Sequence, residues 1–270
     1  MRTRSATRSN GPADRAGEDR ALNGRYAPGS TFKIITTTAL LRDGLSPSET
    51  VSCPPRINVG GKRFENYDGL GSLGEVAFRE DFTQSCNTAF ISRANDLAPD
   101  GLQEAANSFG IGGTWELGIT SFSGDVPTSS DSVDQSAAAI GQGRVLTSPL
   151  AMASVAATVA SGTPRTPRLV LSDRPPEPLP ALSEAGTLRD LMLATVRSGT
   201  ARVLSIPGEQ IGAKTGTAEY GSGTQAGLHA WMVGFLDRIA FAVIVEDGVS
   251  GSQTAGPIAR RFLLDVRDLD

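Results

Sequence analysis

Three short stretches carry residues that could do chemistry. In GRYAPGSTFKIITTTALL, residues 24 to 41, Ser30 and Lys33 stand three apart at the expected start of a helix, so both side chains lie on one face. A partly desolvated lysine there is neutral and can take the serine's proton, while the helix N-terminus favours the developing alkoxide. The chain has only three lysines against 22 arginines. An arginine at position 33 could never lose its charge, so the amine is meaningful. A second lysine, Lys214, opens KTGTA, and the third, Lys62 in GGKRF, reads as a solvated surface charge. The third stretch is Ser85-Cys86-Asn87, on a short connection between two expected helices. Taken alone, SCN fits a helix N-cap and KTGTA fits a strand end with a glycine bulge. Joined in order with the single SxxK of the chain, they form one constellation around a lysine-activated serine.

Composition excludes several other chemistries. The chain of 270 residues, 39% apolar and 20% charged, is long enough for a sizeable core in one domain or two intimate lobes. Its net charge of −4 and the lack of a basic stripe exclude nucleic acid as the expected partner. One histidine, His229, rules out a histidine-rich metal site; it reads as a strand residue packed near Trp231 rather than a base. No metal and no cofactor is expected. Cys53 and Cys86, 33 residues apart, lack the paired spacing of zinc or redox motifs and read as two buried or free thiols. Glu219 reads as a solvated charge at the mouth of the cleft. The apolar runs at 150–160 and 239–245 are too short to span a bilayer, and the polar N-terminus is no secretory signal, so the chain as written would stay in the cytosol.

The elements that must position these residues follow from periodicity and caps. Residues 1–20 read as a disordered or loosely attached arm, and 21–270 as the folded domain, with a mainly helical lobe over about 29–200 and a sheet with a closing helix over about 201–270. Helices are predicted over 29–42, 74–84, 87–97, 99–109, within DSVDQSAAAIG, over 149–161 between Ser148 and Gly162, and over 182–199 with Ser183 as cap. Residues 46–72 and 112–130 read as irregular, and RPPEPLP at 174–180 as a stiff connector. Strands are predicted over 211–218, 228–236 and 239–247, with a hairpin at Asp237-Arg238, before a helix over 254–267 with Ile258, Phe262 and Val266 on one side.

SxxK, SxN and KTG in this order are the motif set of serine β-lactamases and penicillin-binding proteins. With YAPGSTFK, QSCNTAF, AIGQGRVLTSPLAMASVAA, KTGTAE and HAWMVGF followed by AVIVEDG, the chain resembles, over about residues 20–268, the transpeptidase domain of class B penicillin-binding proteins of actinobacterial type. The resemblance implies an α/β (α+β) fold of the penicillin-binding-protein and serine β-lactamase kind, a helical lobe beside an antiparallel sheet. It implies a D,D-transpeptidase that cross-links peptidoglycan, binding acyl-D-Ala-D-Ala stem peptides and β-lactams and working among cell-wall synthesis or division proteins. Ser30 is then the nucleophile and Lys33 its base. Ser85 relays a proton to the leaving D-alanine with help from Lys214, and Asn87 holds Lys33 and the substrate amide. Lys214, Thr215 and Thr217 receive the terminal carboxylate. The backbone N–H groups of Ser30 and Thr217 form the oxyanion hole, and Gly216 lets the strand come close. Such enzymes are extracytoplasmic and carry a membrane anchor, an N-terminal domain and two sheet strands before the SxxK helix. None of these is read here, so those strands are expected to be missing. A serine β-lactamase or β-lactam sensor, or a truncated non-catalytic remnant, are the alternatives. The SCN triplet argues against the sensor pattern, and no acidic residue stands out as a deacylating base.

Overall fold

The computed structural model describes residues 19–170, 179–221 and 226–267. Helix α1 (Arg20–Asn23) leads to a 3-10 turn (Gly29–Phe32) that continues directly as α2 (Lys33–Arg42). Every residue of α2 from Lys33 to Leu40 is buried, so its helicity rests on packing rather than propensity. Its three consecutive threonines, poor helix formers, are accommodated because Thr37 and Thr38 donate to the carbonyls of Lys33 and Ile34, and Thr36 donates to Ala139 O at 2.8 Å.

Two small antiparallel pairs follow. Strand β1 (Thr50–Cys53) pairs with β4 (Gly74–Ala77), and β2 (Arg56–Val59) pairs with β3 (Lys62–Glu65). Next come α3 (Phe78–Gln84), α4 (Asn87–Ala94), α5 (Gly101–Asn107), α6 (Ser132–Ala139), α7 (Pro149–Ser161) and α8 (Ala185–Ser198). Helix α7 starts where the sequence says it should. The Ser148 hydroxyl accepts from Ala151 N, Pro149 fills the first position, and Gly162 ends the helix in the left-handed region.

The C-terminal part is an antiparallel sheet in the order β5 (Ile211–Tyr220), β6 (Gly227–Leu236), β7 (Ile239–Val245), closed by α9 (Gly256–Arg267). Strand β6 is buried on both faces, which is why LHAWMVGFL lacks clean alternation. Trp231, Val233 and Phe235 enter the main core with α2, α7 and α8. Ala230, Met232 and Leu236 enter a second core with Ala259 and Leu263 of α9. Asp237 takes a positive φ of 48° in the two-residue hairpin. The result is a helical lobe beside a helix-covered antiparallel sheet, the expected fold class.

Several local expectations need correction. Residues 46–72 are not irregular but contain β1, β2 and β3, and the helix expected from residue 74 begins at Phe78 because Gly74–Ala77 pairs with β1. The β1–β4 pairing spans more than twenty residues and leaves no local signature; β2–β3 is a hairpin closed over Gly60-Gly61 within the Pro/Gly-rich stretch. Glu184, not Ser183, precedes α8, and its side chain makes no capping bond. On α9 the fully buried residues are Ala259 and Leu263, Phe262 of the expected stripe packs partly buried against the same core, and Ile258 is half exposed. Of the expected arm only residues 19 and 20 are described, and residues 174–178 of the connector lie outside the described residues.

The turn bearing Ser30 is fixed by glycine contacts. Gly29 N donates to Gly141 O at 2.9 Å, and a Cβ on Gly141, whose φ is 70°, would stand 2.1 Å from Gly29 O. Gly141→Ala is therefore expected to destabilise the protein by at least ~1–3 kcal/mol, the usual range for a strained left-handed position. A urea denaturation midpoint equal to the parent's would refute this packing.

Candidate active site

Ser30 lies in the 3-10 turn, where side chains three apart are eclipsed, so Ser30 and Lys33 share a face as predicted. The Ser30 side is half-buried, and the turn is pressed against β5: a Cβ on Gly29 would meet Thr217 O at 2.4 Å, and one on Gly216 would meet Pro28 O at 2.9 Å. Only a glycine at 216 lets the KTG strand lie this close to the serine turn.

Lys33 is fully buried, and its Nζ donates to Ser85 O and Asn87 Oδ1, both at 2.8 Å, with Ser85 Oγ at 3.3 Å. Lys214, also fully buried, donates from the opposite side to Ser85 Oγ at 2.8 Å. One serine hydroxyl thus stands between two buried amines, each near an aromatic ring: Phe90 beside Lys33 and Phe82 beside Lys214. Burial holds the Lys33 pKa well below that of a free lysine, and the Lys214 charge lowers it further, while Asp81 pulls the other way. Burial brings Lys214 down to about 7. Thus three separate segments, SxxK, SxN and KTG, meet in one place.

Ser85 reaches both lysines because its backbone is left-handed, φ 61° and ψ 39°, a conformation unusual for a non-glycine residue. It follows α3 in a tight C-terminal turn, with Ser85 N bonded to Phe82 O and Cys86 N to Asp81 O. Such backbone strain persists only where neighbours hold it, and here the neighbours are unusual. Cys86 is joined to Cys53 of β1 by a disulfide, which corrects the expectation of free thiols. Their separation of 33 residues gave no hint, because the bond depends on β1 lying against the start of α4.

Asn66 is the residue that sequence reasoning missed. Its Oδ1 accepts from the N–H groups of Asn87 and Thr88, which are orphan donors at the start of α4, while Nδ2 donates to Pro54 O and Gly71 O. Asn87 in turn donates through Nδ2 to Glu65 O, which leaves its Oδ1 facing Lys33. An asparagine in a Pro/Gly-rich stretch signals a turn, and nothing in its spacing reveals that it caps a helix twenty residues on.

Asp81 is fully buried, neither carboxylate oxygen has a hydrogen-bond partner, and burial raises its pKa to about 7 against the pull of Lys33. It lies close to both sulfurs, but these are joined in the disulfide and offer no thiolate set for a metal. His229 is stacked on Tyr220 at 4.1 Å and meets Tyr26 edge-on, and Glu219 is exposed on β5.

In sequence and in overall fold the chain is similar to known proteins. The sequence model of the penicillin binding protein transpeptidase domain fits residues 2–264. The chain belongs to that family. Peptidoglycan D,D-transpeptidase PbpA of Mycobacterium tuberculosis is 34% identical across 91% of this chain and 56% of its own length. Its namesake in Mycolicibacterium smegmatis is 35% identical across 90% of this chain and 55% of its own. The chain therefore spans a little more than half the length of these curated relatives. Among solved structures, penicillin-binding protein A from M. tuberculosis as a ceftriaxone acyl-enzyme complex superposes with a TM-score of 0.82 at 33% identity, covering 91% of this chain and 62% of that one. These relatives support the class B, actinobacterial character of this penicillin-binding domain.

Two outcomes follow. Lys214 binds fewer protons folded than unfolded between its folded value near 7 and that of a free lysine, so its contribution to stability rises with pH across that window. Comparing pH-dependent denaturation of the parent with Lys214→Met should show this rise lost in the variant; parallel curves would refute the burial argument. Replacing both Cys53 and Cys86 by alanine should lower stability by roughly 2–4 kcal/mol, and thiol titration of the native parent should find no free cysteine.

Proposed function

We propose that this chain is the catalytic domain of a peptidoglycan D,D-transpeptidase acting on acyl-D-Ala-D-Ala stem peptides. The observation that carries the reading is Ser85 Oγ bridging two buried lysines beside the Ser30 turn. A neutral Lys33 has two N–H donors, and its two short bonds to Ser85 O and Asn87 Oδ1 use both. Its lone pair is then left to accept a hydroxyl proton, the requirement for a general base.

In the proposed reaction Ser30 Oγ attacks the carbonyl of the penultimate D-alanine and passes its proton to Lys33. The oxyanion is received by the N–H groups of Ser30 and Thr217, a contribution of typically a few kcal/mol to the barrier. Lys214, Thr215 and Thr217 hold the terminal carboxylate. The C–N bond breaks as Ser85 hands a proton to the departing D-alanine amine and recovers one from Lys33, which carries the proton of Ser30, with the Lys214 cation assisting. An acceptor amine then attacks the acyl-Ser30 ester, the ester C–O bond breaks, and the amine's proton passes through neutral Lys33 to the Ser30 oxygen. β-Lactams acylate the same hydroxyl. We place the domain outside the cytoplasm, since a buried disulfide suits an oxidising compartment. Among the described residues no helix is long and apolar enough to cross a membrane. Working partners would be other proteins of cell-wall synthesis.

Incubation with a fluorescent penicillin should label the parent, and the label should persist; Ser30→Ala should give none. Fast release would favour a β-lactamase, and an unlabelled but folded parent would overturn both enzymatic readings. Lys33→Arg should abolish labelling, by at least about a hundredfold for loss of a general base, with a circular dichroism spectrum like the parent's.

A further inference from the structure

The geometry points to Thr200 as a positioning residue that sets the hydroxyl of Thr215, an assignment that rests on the function proposed above. Thr200 directly follows α8 and its flanking glycine, in none of the three motifs. Its Oγ1 lies 2.6 Å from Thr215 Oγ1, the second residue of KTGT. The backbone around it is pinned from two sides. Thr200 N donates to Thr83 O at 3.1 Å, two residues before Ser85, and the neighbouring Ala201 and Leu204 are buried in the second core. Gly199 has no room for a side chain, since a Cβ there would stand 2.3 Å from Thr83 O. Gln84 Nε2 adds a bond to Ser198 O at 3.2 Å. The segment 198–201 therefore staples the end of α3, which delivers Ser85, to the KTG strand.

The direction of the hydroxyl pair follows from what Thr215 must do. A threonine hydroxyl has one proton, and a carboxylate only accepts. When Thr215 gives its proton to a substrate carboxylate, its oxygen is free to accept, and Thr200 is the donor in reach. The order Thr200 to Thr215 to carboxylate is a chain in which each bond polarises the next. Without the Thr200 hydroxyl, Thr215 keeps its proton but loses the partner that fixes its rotor. Recognition of the anionic end weakens while the chemistry at Ser30 is untouched.

The test uses the whole chain, fluorescent penicillin as the free acid, the same compound as its methyl ester, and the variants Thr200→Val and Thr200→Ser. The valine keeps the backbone bond to Thr83 and removes only the hydroxyl. With the free acid it should raise the half-saturating concentration for acylation about five- to tenfold, with the limiting rate within about twofold of the parent. Thr200→Ser should restore parental saturation. With the ester, parent and valine variant should behave alike. An unchanged half-saturating concentration, a fall confined to melting temperature or limiting rate, or a valine effect equally large on the ester would overturn the assignment while leaving the proposed function standing. An unlabelled parent would remove both.

Discussion

Two lysine side chains with no solvent exposure face each other across one serine hydroxyl, and much of the site is a response to that arrangement. An ammonium group taken from water without a counter-ion is strongly disfavoured, and two close together repel as well. Both effects push the amines toward neutrality, and the protein meets the remaining polar demand with oriented acceptors rather than with a salt bridge. Ser85 contributes its carbonyl to Lys33 and its hydroxyl to Lys214, and Asn87 gives Lys33 its amide oxygen. The positive φ at Ser85 is the local expression of this demand, because it turns carbonyl and side chain toward the lysines together.

Such a cluster tolerates little displacement, since a hydrogen bond at 2.8 Å is lost within an ångström. The structure holds its three segments with unlike fixtures. Close backbone contact through Gly29, Gly141 and Gly216 seats the Ser30 turn against β5. A disulfide and the Asn66 amide hold the SCN connection to the small β pairs. Burial of β6 on both faces fixes β5 beside it, with Lys214 opposite Val233. The pairs β1–β4 and β2–β3 thus act as a bracket for the site.

The pairing of Ser30 with Lys33 as candidates was legible because their spacing is local. Ser30 and Lys33 share a face through one turn, and the lysine stands out against an arginine background. Helix α7 was legible for the same reason, since its cap, its first-turn proline and its terminal glycine are neighbours in sequence. The bracket was not. Strands β1 and β4, Cys53 and Cys86, and Asn66 with the N-terminus of α4 are matched only in space, and each partner by itself looks ordinary. On α9 the buried face was legible only in part, because small Ala259, where the helix lies tight against the sheet, carries less hydrophobic signal than exposed Ile258.

Asp81 completes the charge balance of this interior. Lys33, Lys214 and Asp81 are all buried, and burial shifts each toward its neutral form. In the proposed reaction, a substrate carboxylate arriving beside Lys214 favours the protonated form of that amine. The positive charge on Lys214 then lowers the proton affinity of Lys33 further, because the two are coupled through their repulsion. Binding the anionic end of the substrate therefore drives the two lysines apart in protonation state, one charged to hold the carboxylate and one neutral to take the proton of Ser30. In that reaction a fixed cation at position 33 would break this division of labour, since a guanidinium there could not take the proton of Ser30.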